Sequence, residues 1–443
     1  MTSAGAGRVL IEGLNLTLTA GTGIATYARN LADAARGLGY GTDVLVGSNR
    51  AISRNDPQLA EIVLHDGPRH FNLIHKGYLE YRRLVGAPFG LQAGTLSKRP
   101  GVVAAQARRF DGFENIHALP HMLDVERLHF TRHGKRLRLR LQPAPDIFHV
   151  TRPAPLDVRG AANIYTVHDV VPLRLPHATA DDKAYHLAML RMLVRDADHI
   201  VTVSEFSRQD IIALTGIAPS RISNTYQPVG FPPEMLARSV DQVADALRDK
   251  YDLDYQDYYL FVGAIEPKKN ISRLINAYGA AGVRRPLVLA GGLGWMYEQD
   301  LARINSEQFL SYVQKGDRSI VPRRRVRHLS YLPLRDIVDL MRGARALLYP
   351  SIYEGFGLPV AEAMSVGTPV MTSNITSLPE IAGDAALLVD PYDTDAITNA
   401  IRTLDCDDDL IADLASRGLA RARVFSAEAH AQRLKDVYRS LGR

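Results

Sequence analysis

The sequence predicts an α/β protein of two Rossmann-like, doubly wound domains facing each other across a cleft. Three observations carry that expectation. Apolar β-branched runs alternate with amphipathic stretches along most of the chain, the sequence form of helices layered on parallel sheets. The alternation comes in two successive series, separated by the Pro- and Gly-rich segment QPVGFPPEM and a polar helical stretch, Ser239–Lys250. At 443 residues the chain is also too long for one ordinary core.

In order, Arg8–Gly13, Thr42–Gly47, Asp146–Val150, Asn163–Val167 and His199–Val203 read as buried strands, with helices near Ile24–Leu38, Asp181–Arg195 and Glu205–Leu214. The second series has strands at Tyr258–Gly263, Pro286–Gly291, Ala344–Tyr349, Pro369–Thr372 and Ala385–Val389. Its helices lie near Ile271–Ala281, Leu334–Arg342, Leu358–Ser365 and Thr394–Leu404. The junction falls near Val229–Pro233. This gives domains at 1–229 and 230–425 and a terminal segment, 426–443, whose helix Ala427–Leu441 either closes the second domain or returns across the junction. Ligands of such domains bind at the carboxyl ends of the strands.

The stretch 71–142 fits the alternation poorly. Within it Arg127–Gln142 carries Arg127, Arg132, Lys135, Arg136, Arg138 and Arg140 with no acid. A solvated strand or hairpin face accounts for this pattern. A surface meeting anionic lipid headgroups or an anionic acceptor is the alternative, each base near such a membrane being worth about 1 kcal/mol.

Apolar residues at 46% and charged residues at 23% are an ordinary globular balance. No run of about 18 apolar residues suggests a membrane span, and MTSAGAGRVLIEGLN reads as a first strand rather than a signal peptide. The single cysteine, Cys406, excludes an intrachain disulfide and thiolate metal clusters. A reducing cytoplasm is the expected compartment, with peripheral contact at the inner face of the membrane through the basic segment. The net charge of +5 suits anionic ligands without calling for nucleic acid, and no nucleic-acid motif accompanies the bases.

The chemistry concentrates in Tyr349–Pro391, YPSIYEGFGLPVAEAMSVGTPVMTSNITSLPEIAGDAALLVDP. A buried strand ends at Tyr349–Pro350 and a loop follows with Glu354, Gly355, Phe356 and Gly357. Pro359 then stands in the first turn of a helix, where its missing N–H costs nothing. Glycines let backbone approach a ligand, and a helix start offers free N–H groups to phosphate. Glu362 lies about one turn further on. A carboxylate beside a diphosphate is costly unless it binds hydroxyls, and a sugar nucleotide carries hydroxyls on both sides of its diphosphate. A second anion site is read in FVGAIEPKKN, where a strand and the Gly263 turn lead to Lys268 and Lys269 at a helix start. Asp252/Asp254 and Asp393/Asp395 mimic metal-binding pairs but sit beside a linker and a helix start, where solvation or capping accounts for them. No metal is expected.

These motifs resemble family 4 of the retaining glycosyltransferases, enzymes of the GT-B fold, in which two Glu are separated by seven residues in an EGFGLP-type loop. The resemblance covers roughly 21–425 and is specific mainly over Val262–Asn270 and Tyr349–Pro391. It implies that Glu354 contacts hydroxyls of the transferred sugar, that Glu362 binds the nucleotide ribose, and that backbone N–H groups of Gly355, Phe356, Gly357 and Leu358 hold phosphate and sugar oxygens. Lys269 would neutralise the leaving diphosphate, helped by Lys268; the family's Arg directly after Gly263 is replaced by Ala264. Gly21 and Gly23 resemble the family's Gly-rich first loop, with Tyr27 on the following helix beside donor phosphates or acceptor. His168, in VHDVVP, would lie near the reacting sugar. Ser204, in VSEFS, reads better as a helix cap, and Glu380 as a loop support. The EPKKN and HDVVP forms resemble bacterial polysaccharide and lipopolysaccharide mannosyltransferases. They point to GDP-mannose as donor, with UDP-sugars or dTDP-rhamnose as alternatives, and to a glycan or lipid-linked glycan as acceptor. A GT-B sugar-nucleotide epimerase, or a nucleotide- or anionic-surface-binding protein without catalysis, are the competing classes.

Overall fold

The computed structural model describes residues 7–17, 23–48, 77, 90–96, 110–179, 182–314 and 320–442. Gly21, and most of 71–109, lie outside the described residues. Strands are numbered β1–β19 and helices of eight or more residues α1–α11.

The first sheet contains β1 (Arg8–Glu12), β2 (Gly41–Ser48), β4 (Gly94–Leu96), β5 (Asn115–Pro120), β7 (Ile147–Val150), β9 (Ala162–Thr166), β10 (His199–Thr202) and β11 (Ile222–Asn224). Among the described residues its order is β11-β10-β9-β7-β1-β2-β5-β4, all parallel except β4. The second contains β12 (Tyr259–Val262), β13 (Leu287–Ala290), β16 (Val326–Leu329), β17 (Ala346–Tyr349), β18 (Val370–Ser373) and β19 (Leu387–Val389), parallel in the order β16-β13-β12-β17-β18-β19. Central strands such as Val9–Ile11, Leu260–Phe261 and Leu347–Tyr349 are wholly buried, as expected where helices cover both faces of a parallel sheet. A small parallel sheet joins β3 (Leu91–Gln92), β6 (Leu137–Arg140) and β8 (Leu156–Val158), and β14 (Leu310–Gln314) pairs antiparallel with β15 (Ile320–Arg324).

Strand order locates the ligand cleft. In each large sheet the chain runs outward one way from its first strand, then returns and builds the other way. The crossovers lie between β1 and β7 and between β12 and β17. Crevices open at the carboxyl ends of such strand pairs, which places the segments after Val262 and Tyr349 side by side.

Helices start where local chemistry provides caps. Ser204 accepts from Ser207 N to begin α4 (Glu205–Thr215), and Asp393 accepts from Asp395 N and Ala396 N to begin α9 (Thr394–Cys406). Ser239 and Gln242 form a reciprocal cap on α5 (Val240–Tyr251). The remaining long helices are α1 (Gly23–Gly37), α2 (Met122–His133), α3 (Lys183–Asp196), α6 (Ile271–Ala281), α7 (Leu334–Gly343), α8 (Leu358–Ser365), α10 (Asp408–Ala422) and α11 (Ala427–Ser440). Among the described residues no helix is long and apolar enough to cross a membrane.

The basic segment corrects one expectation. Arg127–His133 is the end of α2, and only Leu137–Arg140 forms a strand, with Leu137 and Leu139 buried and Arg138 and Arg140 exposed. Arg132, Lys135 and Arg138 face solvent. Arg136 is half-buried and donates from Nη1 to the Tyr165 hydroxyl at 3.0 Å, so it is spent on the sheet and is not free for an anionic surface.

The terminal helix α11 packs on α1 of the first domain. Its Tyr438 hydroxyl lies 3.0 Å from His149 Nδ1, and its His430 Nδ1 donates to Thr225 O at 3.2 Å. Burial holds the His149 ring down at about 3 and His430 at about 4. Both titrate near 6.5 in an unfolded chain, so the unfolded state takes up protons first as pH falls. Stability is therefore expected to drop between about pH 6.5 and pH 4, and thermal melts across that range should show it. His149→Gln should flatten the slope.

Candidate active site

Gly263 follows β12, and Pro267–Lys269 forms a short 3-10 turn before α6. Tyr349 ends β17, and the loop to α8 carries Glu354–Gly357. The crossover brings these two segments together around Glu354. Three donors converge on its Oε1: Lys269 Nζ at 2.6 Å, Ser351 Oγ at 2.7 Å and the Tyr349 hydroxyl at 2.9 Å. Lys269 Nζ also donates to the Tyr349 hydroxyl at 2.6 Å. Among the described residues Glu354 Oε2 receives no hydrogen bond, so one carboxylate oxygen is saturated and the other is available to a ligand. Burial works against the charge, but Lys269 and Lys268 outweigh it and hold the carboxyl at about 2. Burial and the Glu354 charge together push the Tyr349 phenol well above its ordinary value.

The backbone after Glu354 presents a row of N–H groups to the cleft. The N–H groups of Gly355, Phe356, Gly357 and Leu358 donate to no atom of the described residues, whereas Val360 and Ala361 already bond to Gly357 O. Gly357 precedes the helix at φ +96°, a left-handed conformation that favours glycine. Free N–H groups at a helix start are a preformed site for phosphate. Glu362, half-buried on α8, makes no hydrogen bond or ion pair through its carboxyl among the described residues, and burial pushes it up to about 8.

The first domain closes the cleft from the other side. Ser204 and Ser207 donate from Oγ to Gly355 O at 2.6 and 3.0 Å. A Cβ on Gly355 would sit 2.7 Å from Asp169 Cβ and 2.8 Å from His168 O, so only glycine permits this approach. Glu380 reaches across to accept from Glu205 N and Phe206 N at 2.7 and 2.9 Å, capping α4 from the other domain. The Tyr353 hydroxyl donates to Asp210 at 2.6 Å. His168 Nε2 lies 2.9 Å from Thr151 O. A carbonyl only accepts, so Nε2 carries the proton, and burial lowers the pKa of the ring, leaving Nδ1 as an acceptor at neutral pH.

Of the residues singled out from sequence, Gly23, His168, Gly263, Lys269 and Glu354–Leu358 line one cavity of about 330 Å³. Lys268 and Glu362 are not among its described lining residues; Lys268 Nζ is 3.5 Å from Glu266 Oε1. Tyr27 is corrected. It is buried, its hydroxyl lies 3.0 Å from Thr166 Oγ1, and its ring stands edge-on to His168 at 4.9 Å, so it supports the histidine and cannot meet an acceptor. Sequence reasoning missed Tyr349, Ser351, Ser207 and the cavity-lining Gln227. The first two lie within the recognised motif, but nothing local marks their hydroxyls as turned toward Glu354.

A carboxylate poised beside an amide-lined anion cradle, between two doubly wound domains, defines a GT-B glycosyltransferase. Residues 97–229 match the family described as Glycosyltransferase Family 4, and residues 244–420 match Glycosyl transferases group 1. The chain is 38% identical over 270 residues to O-antigen chain mannosyltransferase B of Escherichia coli, covering 60% of this chain and 67% of that protein. It is 29% identical over 297 residues to the serotype-specific mannosyltransferase WbdA of Escherichia coli, spanning 35% of that longer protein and 64% of this one. Among solved structures, HepE of Anabaena in complex with UDP and glucose superposes with a TM-score of 0.64 at 16% identity, over 98% of this chain and 100% of that one. WaaG, a glycosyltransferase involved in lipopolysaccharide biosynthesis, superposes at 0.58 and 15% identity, over 97% and 99%. These two likenesses are of fold. The chain belongs to family 4 of the glycosyltransferases; its substrates are accordingly a nucleotide-sugar donor and a glycan acceptor.

The Lys269–Glu354 pair should behave as a unit. Lys269→Ala strands a buried carboxylate and is expected to cost about 3–5 kcal/mol. The double variant Lys269→Ala/Glu354→Ala should cost less than the sum of the single losses. Chemical denaturation of the four proteins in the cycle measures both.

Proposed function

We propose that this glycosyltransferase takes mannose from GDP-mannose, with retention of anomeric configuration, and adds it to a lipid-linked glycan in the building of a bacterial cell-surface polysaccharide. The observation that carries the donor site is the row of four N–H groups, with Glu354 Oε2 on the same loop, that have no partner among the described residues. Mannose and the polysaccharide rest on the names of the O-antigen mannosyltransferases to which the chain is similar. In this proposal the second domain holds the donor and the first domain the acceptor. The diphosphate lies on Gly355–Leu358, Glu354 Oε2 takes hydroxyls of the transferred sugar, and Glu362 takes the ribose. UDP-sugars and dTDP-rhamnose fit the same cradle, since it reads phosphates and hydroxyls and not the base.

The route is a front-face displacement. The bond from the anomeric carbon to the diphosphate oxygen breaks while the acceptor oxygen bonds to the same face, and the acceptor proton passes to the departing phosphate. Glu354 is ion-paired through Oε1 and gives Oε2 to sugar hydroxyls, and Asp169 accepts from Val171 N at 3.0 Å; with neither carboxylate assigned as a nucleophile, this route is favoured over a double displacement. Lys269 and the helix amides stabilise the leaving charge, with no metal ion required. His168 orients the sugar or acceptor, and closure of the domains excludes water. Exposed Arg132, Lys135 and Arg138 suit anionic headgroups at the inner face of the membrane; unchanged vesicle sedimentation after neutralising all three would remove that part.

The test is a donor panel read by nucleotide release, run with a chelator, with and without glycolipid acceptors. Turnover of donor alone to an epimeric product would sink the proposal in favour of an isomerase. Glu354→Gln should lower kcat about 10²–10³-fold while leaving nucleotide affinity within a few-fold. Burial pushes Glu362 up to about 8, so at neutral pH it takes the ribose without adding negative charge near the diphosphate. Donor KM is expected to rise as pH passes about 8 in the parent and to stay flat in Glu362→Gln.

A further inference from the structure

The second domain carries another basic concavity, on the edge away from the cleft. The β14–β15 hairpin folds against the connection from α6 to β13, with Leu287 N, where that connection enters β13, donating to Arg325 O at 2.8 Å. Between them lies a cavity of about 320 Å³, lined by Arg284 on the connection and by Ser311, Arg323, Arg324 and Arg325 on and beside the hairpin. Among the described residues none of those lining it is acidic. The lining residues Pro286 and Arg325 directly precede the parallel strands β13 and β16, so the cavity sits at their amino ends. The length of β13, about 13 Å at roughly 3.3 Å per residue, separates it from the donor cradle.

The charges here are poorly compensated. The guanidinium groups of Arg284 and Arg324 make no hydrogen bond or ion pair among the described residues. Arg323 has a buried Nε without a partner. Its Nη2 lies 3.6 Å from Asp252 Oδ2, an 82% exposed side chain that Arg327 shares at the same distance. Arg325 donates to Val283 O and lies over the Tyr278 ring. The neighbouring Arg285 shows the contrast, paired with both Asp405 and Asp257. Converging guanidinium groups repel one another unless an anion joins them, and their planar forks match phosphate oxygens.

We propose that this cavity is a second anion site that takes a phosphate group, either on a phospholipid head or as a free phosphate ligand. It lies on the face opposite the catalytic cleft and is independent of the donor site.

The full chain and an Arg284→Ala/Arg324→Ala variant are compared, since neither side chain supports the fold or touches the cleft. Transfer to a soluble acceptor should be unchanged. Binding of inorganic phosphate is measured by calorimetry, and binding to phosphatidylcholine vesicles with or without phosphatidylglycerol by sedimentation. The donor cradle is intact in both proteins, so the difference isolates this site. The expected loss is about thirty-fold, roughly five-fold for each guanidinium. Weaker binding to anionic vesicles assigns the site to a lipid headgroup, and loss of inorganic phosphate alone assigns it to a free ligand. Equal phosphate and vesicle binding in the two proteins overturns the proposal, as does a loss seen only with polyglutamate, which would mark an acidic protein partner.

Discussion

The cleft depends on one buried ion pair. Taking a carboxylate and an ammonium out of water costs several kcal/mol per ion, and their attraction offsets this only when further hydrogen bonds complete the geometry. At Glu354 those bonds are present: Lys269, Ser351 and Tyr349 all donate to the same oxygen. The asymmetry is the functional point. Because Oε1 is saturated, the carboxylate is fixed in place, and because Oε2 is not, the fixed group still has a lone-pair face to offer a sugar hydroxyl. Lys269 thereby serves twice, holding the carboxylate ionised and lining the same cavity as a positive charge.

Around this pair the two domains are joined through backbone rather than broad apolar contact alone. Gly355 O takes two serine hydroxyls from the first domain, and Glu380 caps a helix of that domain from the second. The loop with the unpartnered amides, among the described residues, is thus also the loop that meets the opposing domain, through the carbonyl of Gly355. Gly355 packs so closely on His168 and Asp169 that the loop and this wall of the first domain form one contact. The return of α11 to α1, sealed by His149 and Tyr438, adds a second tie between the halves.

Much of this was legible in the linear sequence. The two strand–helix series, the cap at Ser204, the helix beginning at Leu358 and the glycine loop before it are written in contiguous residues. The basic segment was less legible: Arg127–His133 and Leu137–Arg140 carry similar charge, yet one is helix and the other strand. The hairpin β14–β15 and the helix α10 also went unread, although α10 buries Ile411, Leu414 and Ala422 at helical spacing. Tyr27 misled for a related reason. Its place in the first turns after a glycine loop suggests a ligand contact, but the helix is rotated so that the phenol faces Thr166.

The class of fold, the glycine loop before Leu358 and the two glutamates beside it are readable from contiguous residues, because glycine, proline and β-branched residues act on their immediate neighbours. Which of those groups meet is set by the packing of distant segments. Lys269 and Glu354 are 85 residues apart, and their contact follows from β12 lying beside β17, an order of strands that no local pattern encodes. The same holds for Ser204 and Gly355, separated by 151 residues. Partners in a parallel sheet are chosen by the packing of whole layers, and so the geometry of the site emerges only when the layers close.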